Sequence, residues 1–440
     1  MAQSEQAKLL KETIESRRAR VAIIGLGHVG LPLATAFASA GFNVTGIDTD
    51  LEKVESVRRA ESYVPDVPSD LLRNFVHAGL LRATSDYSAA AEADAVIICV
   101  PTPLSKTRDP DISYVIEAAD GVAANIHRGQ LIVLESTTYP GTTEELILPK
   151  FEATGLKVGE DFFLAFSPER IDPGNKQYTI ANTPKVVSGV TVTCSELAQA
   201  LYGTIAERVV PVSSTRCAEL VKLLENTFRY TNLAMVNELA LMCERLGVDV
   251  WEVINAAATK PFGFMPFFPG PGLGGHCIPV DPLYLSWKLK TLNYTARFIE
   301  LASQINASMP GHVVRKIADA LNESSKSVKN SKVLILGVAY KKDVADTRES
   351  PALEIMKLLI EKGAAVSYAD PYVPTLEVEE QMYRSLRLES AILEEFDCAV
   401  IVADHSCLDY DMIVRHCKIV VDTRNATRNI TSHRSKVRKL

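Results

Sequence analysis

Cys277 stands in GPGLGGHCIPVDP (residues 270–282), behind Gly272, Gly274 and Gly275 and four positions ahead of Asp281. A thiol placed so can do nucleophilic chemistry: glycines leave open backbone beside it, and Asp281 can serve as a base toward water or an alcohol. The attacking species is the thiolate, so a cation or a histidine must lower the thiol pKa. His276 and Lys222 are the candidates, whereas the charge of Asp281 opposes ionisation. The alternative is a small buried hydrophobe in a glycine turn. Lys222 and Asn226 lie four apart in AELVKLLENTFR, so they share one helix face and can both reach into a cleft, unless that face is only solvated. FSPERIDPGN (166–175) sets Glu169 beside Arg170, either a surface ion pair or part of a site.

A second chemistry belongs to Gly25-x-Gly27-x-x-Gly30, which follows an apolar run, opens a helical stretch and precedes Asp48 by 18 positions from its last glycine. That context is the one a dinucleotide-binding fingerprint requires. Gly25 permits the turn, Gly27 lets backbone approach a pyrophosphate, and Gly30 allows helix to pack on strand. Asp48 can accept from ribose hydroxyls and its charge disfavours a 2′-phosphate, so NAD is expected over NADP. His28, inside the loop, is a local contact rather than a catalyst. Thr102 in VPTP and Thr138 in ESTTYP fall just past two apolar runs, the edge where parallel sheets bind ligands; turn-forming hydroxyls are the other reading.

These residues need a frame. RVAIIG, FNVTGI, DAVIICV and QLIVL alternate with helical stretches, which predicts a mostly parallel α/β sheet. The same grammar returns after residue 330: KVLILG, a helical SPALEIMKLLIEKG, then AAVSYADP ending the unit on Asp370 as Asp48 ends the first. EADAVIICVPTP (92–103) resembles EFDCAVIVADHS (395–406), and QLIVLEST (130–137) resembles KIVVDTRN (418–425). Two Rossmann-like domains are therefore expected, the second without the full glycine set. Residues 214–258 between them carry apolar positions at helical spacing and no proline, a long central helix followed past Gly247 by a second stretch. An apolar surface on more than one face of that helix calls for both domains or a second subunit, so a homodimer through it is expected. The expected domains are 1–210, 211–325 and 326–440.

At 440 residues the chain exceeds one ordinary core, and 47% hydrophobic residues suffice to fill several. A net charge of −7, with no long basic run except SHRSKVRKL at the end, argues against nucleic acid as the partner; that tail is expected to fray. Eight cysteines include no Cys-x-x-Cys pair, so neither a metal centre nor a disulfide framework is indicated and a reducing cytoplasm fits. No run approaches the roughly 18 apolar residues of a membrane span.

GLGHVGLPLA, STTYPGT, FSPERIDPGN, AELVKLLENTFR, GGHCIPVDP and GVAYKKDVADTRESPA follow one another in a single order across residues 19–425. In these motifs the chain resembles the nucleotide-sugar 6-dehydrogenases of the UDP-glucose/GDP-mannose dehydrogenase superfamily. The resemblance implies four-electron oxidation of a sugar C6 alcohol to a carboxylate with two NAD⁺ in turn and no metal. It makes Cys277 the nucleophile, carrying first a thiohemiacetal and then a thioester. Lys222 stabilises the oxyanion with Asn226 in support, Asp281 and Thr138 move protons through an ordered water, and Glu169 assists thioester hydrolysis. Cofactor contacts fall on Gly25, Gly27, His28, Val29, Gly30, Asp48, Lys53, Thr102 and Thr138. The UDP-sugar contacts fall on Glu169, Arg170, Lys222, Asn226, Phe264, Phe267, Phe268, Gly272, Tyr340, Lys341 and Arg348, the C-terminal domain holding the UDP. Many UDP-glucose dehydrogenases carry lysine before the aspartate where this chain has Val280. With His276 and the PFGFMPFFPGPGLGGHC loop, this points to the branch oxidising 2-acetamido sugars, UDP-N-acetylglucosamine first, for surface polysaccharide. UDP-N-acetylgalactosamine, UDP-N-acetylmannosamine and UDP-glucose are the alternatives, and a non-catalytic NAD and sugar-nucleotide sensor is the reading outside enzymes.

Overall fold

RVAII extends as β1 (Arg20–Ile24) and is buried on both faces: Val21 and Ile23 enter one apolar cluster, Ala22 and Ile24 another. A strand covered on both sides has no polar face, which is why these runs read as continuous rather than alternating. β2 (Asn43–Ile47), β3 (Leu81–Thr84), β4 (Ala95–Ile98), β5 (Leu131–Leu134), β6 (Phe163–Phe166), β7 (Lys185–Gly189) and β8 (Val209–Pro211) complete a sheet of order β3-β2-β1-β4-β5-β6-β7-β8. Neighbours run parallel except β6 and β7. Strand order reverses between β1 and β4, and the strand ends there form the switch point at which such sheets take ligands. Gly25, Asp48, Cys99 and Glu135 are the residues that follow β1, β2, β4 and β5, so all four sit on that edge.

A second sheet repeats the plan. β9 (Lys332–Leu336) lies between β10 (Ala365–Ala369) and, beyond a hairpin of β11 (Thr375–Val378) with β12 (Gln381–Arg384), β13 (Cys398–Ile401). β14 (Val420–Asp422) and β15 (Val437–Lys439) finish the order β10-β9-β13-β14-β15, all parallel. The correspondence extends to single atoms. Gly25 and Gly337 turn the chain at φ +91° and +79°, and a Cβ on either would meet the carbonyl oxygen of Cys99 or Ala403 at 2.6 and 2.5 Å. Asp48 Oδ2 accepts from the Leu26 N–H at 2.7 Å, and Asp370 Oδ2 accepts from that of Val338 at 2.7 Å. Ala339 and Lys342 occupy the places of Gly27 and Gly30, so the second copy lacks the close-approach glycines.

The computed structural model describes residues 4–105, 107–172, 174, 175 and 177–440. They divide into two units, one ending at Glu225 and taking in Leu283–Leu292, the other Asn226–Pro282 with Asn293–Leu440. The central helix, Thr215–Leu246, has 32 residues and a length of about 48 Å. It begins in the first unit and ends in the second. Gly247 at φ +67° stops it, and Asp249 caps the next helix, Val250–Ala257, by accepting from the N–H groups of Trp251 and Glu252. The basic tail does not fray. Its backbone pairs with β14 as an edge strand, Leu440 is 7% exposed in the second unit's core, and Lys439 Nζ lies 2.9 Å from Asp249. Main-chain pairing and one apolar end residue outweigh the charge pattern that suggested disorder.

Candidate active site

In the first unit the fingerprint loop has the shape a dinucleotide needs. A Cβ on Gly30 would stand 1.8 Å from the Gly25 carbonyl oxygen, so helix Gly30–Ser39 can press on β1 only as glycine, whereas one on Gly27 would meet nothing within 4 Å. That open backbone, beside a helix start with no side-chain cap on Val29, is room for a pyrophosphate. Asp48 is 8% exposed; its Oδ1 accepts from the Asp50 N–H at 2.9 Å, and Lys53 Nζ lies 3.6 Å from both Asp48 and Asp50. His28 is exposed and Thr102 half-buried. The residues present therefore fit NAD.

Farther along the same edge, Glu169 turns inward, away from its neighbour. Arg170 instead donates to the Pro184 carbonyl at 2.6 Å and to Glu225 at 2.7 Å. Glu169 is 8% exposed and accepts from the Ile171 N–H, with Lys185 Nζ 3.5 Å from its Oε2. Burial pushes its carboxyl up, but Lys185, a hydrogen bond from Glu135, the Ile171 N–H and the nearby Lys222 outweigh it and hold it below the usual range. Lys222 is itself buried and belongs to this group. Thr138 is fully buried, and its Oγ1 has no hydrogen-bond partner among the described residues, a donor left over for a ligand or water.

Cys277, in the second unit, is exposed, whereas Cys99 and Cys194 of the first unit and Cys243, Cys398 and Cys417 of the second are buried. This removes the buried-hydrophobe reading. The Cys277 carbonyl accepts from the N–H groups of Val280 (3.1 Å) and Asp281 (2.9 Å), and this turn opens helix Asp281–Lys290. Asp281 is 3% exposed and its Oδ2 accepts from Asn226 Nδ2. The preceding glycines serve a purpose the sequence did not disclose. A Cβ on Gly274 would meet the Glu349 carbonyl and Tyr340 Cβ at 2.7 Å, and one on Gly275, at φ +87°, would meet the Tyr340 ring at 2.8 Å. They admit the segment 340–350 against the cysteine loop, tied further by the Gly275 N–H donating to the Arg348 carbonyl at 3.0 Å. The Arg348 guanidinium is held by Asp346, with Nε 2.9 Å from Oδ1, a bond that pushes its pKa up. Gly272, at φ +137°, passes Pro351 and Pro310. Phe267 meets Phe228 edge-on at 5.7 Å, Phe268 stacks on Trp251 at 5.8 Å, and Phe264 is exposed, as Lys341 partly is.

Sequence reasoning missed several residues. Glu135 and Lys185 sit on Glu169, the Tyr63 hydroxyl donates to the Leu26 carbonyl in the fingerprint loop at 2.6 Å, and Glu219 accepts from the Gly141 and Thr143 N–H groups and the Thr143 hydroxyl. The one available signal was a charge inside a buried run: Lys185 opens KVVSG, and Glu135 closes LIVLE.

Three segments match domains of the UDP-glucose/GDP-mannose dehydrogenase family: its NAD binding domain at 19–206, its central domain at 216–308 and its UDP binding domain at 334–429. The fold superposes on the structure of a UDP-D-ManNAc dehydrogenase from Pyrococcus horikoshii with a TM-score of 0.85, at 34% identity over 92% of this chain and 96% of that one. A UDP-N-acetyl-D-glucosamine 6-dehydrogenase of Salmonella typhi is 34% identical, covering 88% of this chain and 90% of the relative. An NDP-N-acetyl-D-galactosaminuronic acid dehydrogenase of Ralstonia nicotianae is also 34% identical, covering 92% and 95%.

Proposed function

Because the chain belongs to the UDP-glucose/GDP-mannose dehydrogenase family and carries its NAD binding domain, we infer that it oxidises the C6 alcohol of a UDP-N-acetylhexosamine to the acid, with UDP-N-acetylglucosamine the preferred substrate. The observation that carries the covalent part of this reading is the exposed Cys277 on a backbone turn shared with buried Asp281, itself bonded to Asn226. The three acetamido-sugar relatives stand at equal identity, so overall likeness does not choose among their sugars. Val280 and His276 favour the acetamido branch over glucose, and the loop from Pro261 to Cys277 favours the gluco epimer.

Bound NAD⁺ supplies the hydride acceptor for both oxidations. The chain's residues bring about the rest. Loss of the C6 hydroxyl proton toward water held by Thr138 and Asp281 accompanies the first oxidation. Cys277 Sγ then adds to the aldehyde carbon, and Lys222, with Asn226, steadies the resulting oxyanion. The thiohemiacetal presents a new C–H, whose loss leaves a thioester; water, with Glu169 as its base, then forms the C–O bond as the C–S bond breaks. Arg348, Lys341 and Tyr340 serve the UDP moiety, and the product suits assembly of a surface polysaccharide.

The test is NADH formed per UDP-N-acetylglucosamine consumed, with the product weighed and the galacto, manno and glucose analogues run in parallel. Two NADH per acid with the gluco acetamido substrate preferred is the expected outcome, and preference for another sugar moves the substrate assignment alone. Cys277→Ser should bind NAD normally and form no acid. Acid at the wild-type rate from that variant excludes the covalent role, and no NADH from any of the four sugars favours the sensor.

A further inference from the structure

The first sheet ends in a buried ionic cluster that these roles use only in part. Glu135 follows β5, Glu169 lies just past β6, Lys185 opens β7, and Tyr202 closes helix Val192–Tyr202. All are under 9% exposed. Lys185 Nζ donates to Glu135 Oε1 and lies 3.5 Å from Glu169 Oε2, while the Tyr202 hydroxyl donates to Glu135 Oε2. Glu169 Oε2 is buried and accepts no N–H or hydroxyl from the described residues. Lys185 Nζ apart, what stands within hydrogen-bonding reach of the Glu169 carboxyl is that of Glu135. Two carboxyl groups can bond to each other only across a proton.

Lys185 is the ammonium beside Glu135 and is shared with Glu169, which has Lys222 besides, so away from water the charge of Glu135 is the less compensated, and holding that proton relieves it. Burial, opposed by Lys185 and reinforced by the charge of Glu169, pushes Glu135 up to about 7, while Glu169 is held low. The shared proton therefore resides on Glu135. We propose that Glu135 is a positioning residue for Glu169: the proton it holds, or releases, sets the strength of Glu169 as the base of thioester hydrolysis, with Lys185 the counter-ion of both. This rests on Glu169 acting in that step.

Hydrolysis needs no oxidant or reductant. A water oxygen bonds to the thioester carbon, the C–S bond breaks, sulfur leaves as the Cys277 thiolate, and the water's proton passes to Glu169. While Glu135 donates its proton to Glu169, that base is weak. Once Glu135 ionises, two like charges share Lys185, the affinity of Glu169 for a proton rises, and hydrolysis quickens. The other groups facing the pair are Lys185 from β7, Tyr202 from its helix, Cys99 beyond β4 and Lys222 on the central helix. The two carboxylates hold Lys185 charged despite its burial, and burial keeps the Tyr202 hydroxyl and Cys99 thiol neutral.

The experiment follows decay of the acyl-enzyme by intact mass in single turnovers of the full chain between pH 5.5 and 8.5. It uses NAD⁺ and whichever acetamido sugar nucleotide gives the larger NADH burst. In the wild type, decay should rise about tenfold per pH unit below the Glu135 midpoint and level above it. Glu135→Gln keeps a neutral donor toward Glu169 at every pH; its decay should be flat at the acid-side rate, with acyl-enzyme accumulating and the NADH burst intact. A wild-type pH limb in this variant overturns the proposal. Glu169→Gln runs beside it: normal decay there instead refutes the role of Glu169 itself. Should Glu135→Gln fail to fold, Tyr202→Phe removes one donor to Glu135 and must move the limb to higher pH with the plateau unchanged; an unmoved limb counts against the proposal equally.

Discussion

Glu219 shows how a single buried carboxyl writes itself into stability. It is fully buried on the central helix and accepts from the Gly141 N–H at 2.5 Å and the Thr143 N–H at 2.9 Å. Burial pushes it up, those donors pull it down, and burial prevails at about 7 against an ordinary 4.5. With the folded value above the unfolded one, its contribution is complete below about pH 4.5 and is lost as pH rises through 7, a change on the order of 3 kcal/mol. Glu135, raised for the same reason, acts in the same direction. Urea unfolding followed by Trp287, which packs 5.1 Å from Tyr139 in that unit, should show the midpoint fall between pH 5 and pH 8 in a Trp251→Phe background. Glu219→Gln should flatten the fall. An equally steep slope in that variant places the titration elsewhere. None of this was legible beforehand, since the partners of Glu219 lie 76 and 78 positions away, and only folding brings them to it.

Elements carry two further expectations. Gly27 and Gly30 belong to one motif yet differ in what surrounds them, so they separate binding from folding. Gly27→Val should leave thermal stability near wild type and weaken NAD binding at least tenfold, because its side chain would enter only the space beside the helix start. Gly30→Ala must displace the Gly25 turn and should cost several kcal/mol as well as NAD affinity. Calorimetric titration with NAD and a melting curve distinguish them, and equal losses of stability in both would refute the distinction. On the central helix Leu220, Leu224, Phe228, Met235, Met242 and Leu246 recur every four or seven residues and are all exposed, Leu224 at 64%. Such a stripe fits a second copy of the chain. Sedimentation should give a dimer that Leu224→Glu with Phe228→Glu converts to monomer; a wild-type monomer would end that expectation. The helix itself was readable from its apolar spacing and the glycine that stops it. The edge strand β15 was not, because its pairing is made by backbone and SHRSKVRKL shows only charge.

Across the whole molecule, one plan is written twice, and the sequence discloses this in paired strands, a paired glycine and a paired aspartate. What it hides is the difference in use. In the first copy Gly27 leaves backbone open, whereas Gly274 and Gly275 serve the segment after β9, folding Tyr340 and the Glu349 carbonyl against the loop of Cys277. Reading that loop alone suggests small residues kept for a substrate; only the tertiary contact shows them holding two chain segments in register. This contact couples two events thermodynamically. A ligand that reorders residues 340–349 must alter the setting of the thiol, and linkage requires the effect to run both ways with one factor. Uridine diphosphate should thus change the rate at which iodoacetamide alkylates Cys277, and the alkylated protein should bind the nucleotide with a changed affinity, so that the cysteine reports occupancy of a site it does not itself have to touch.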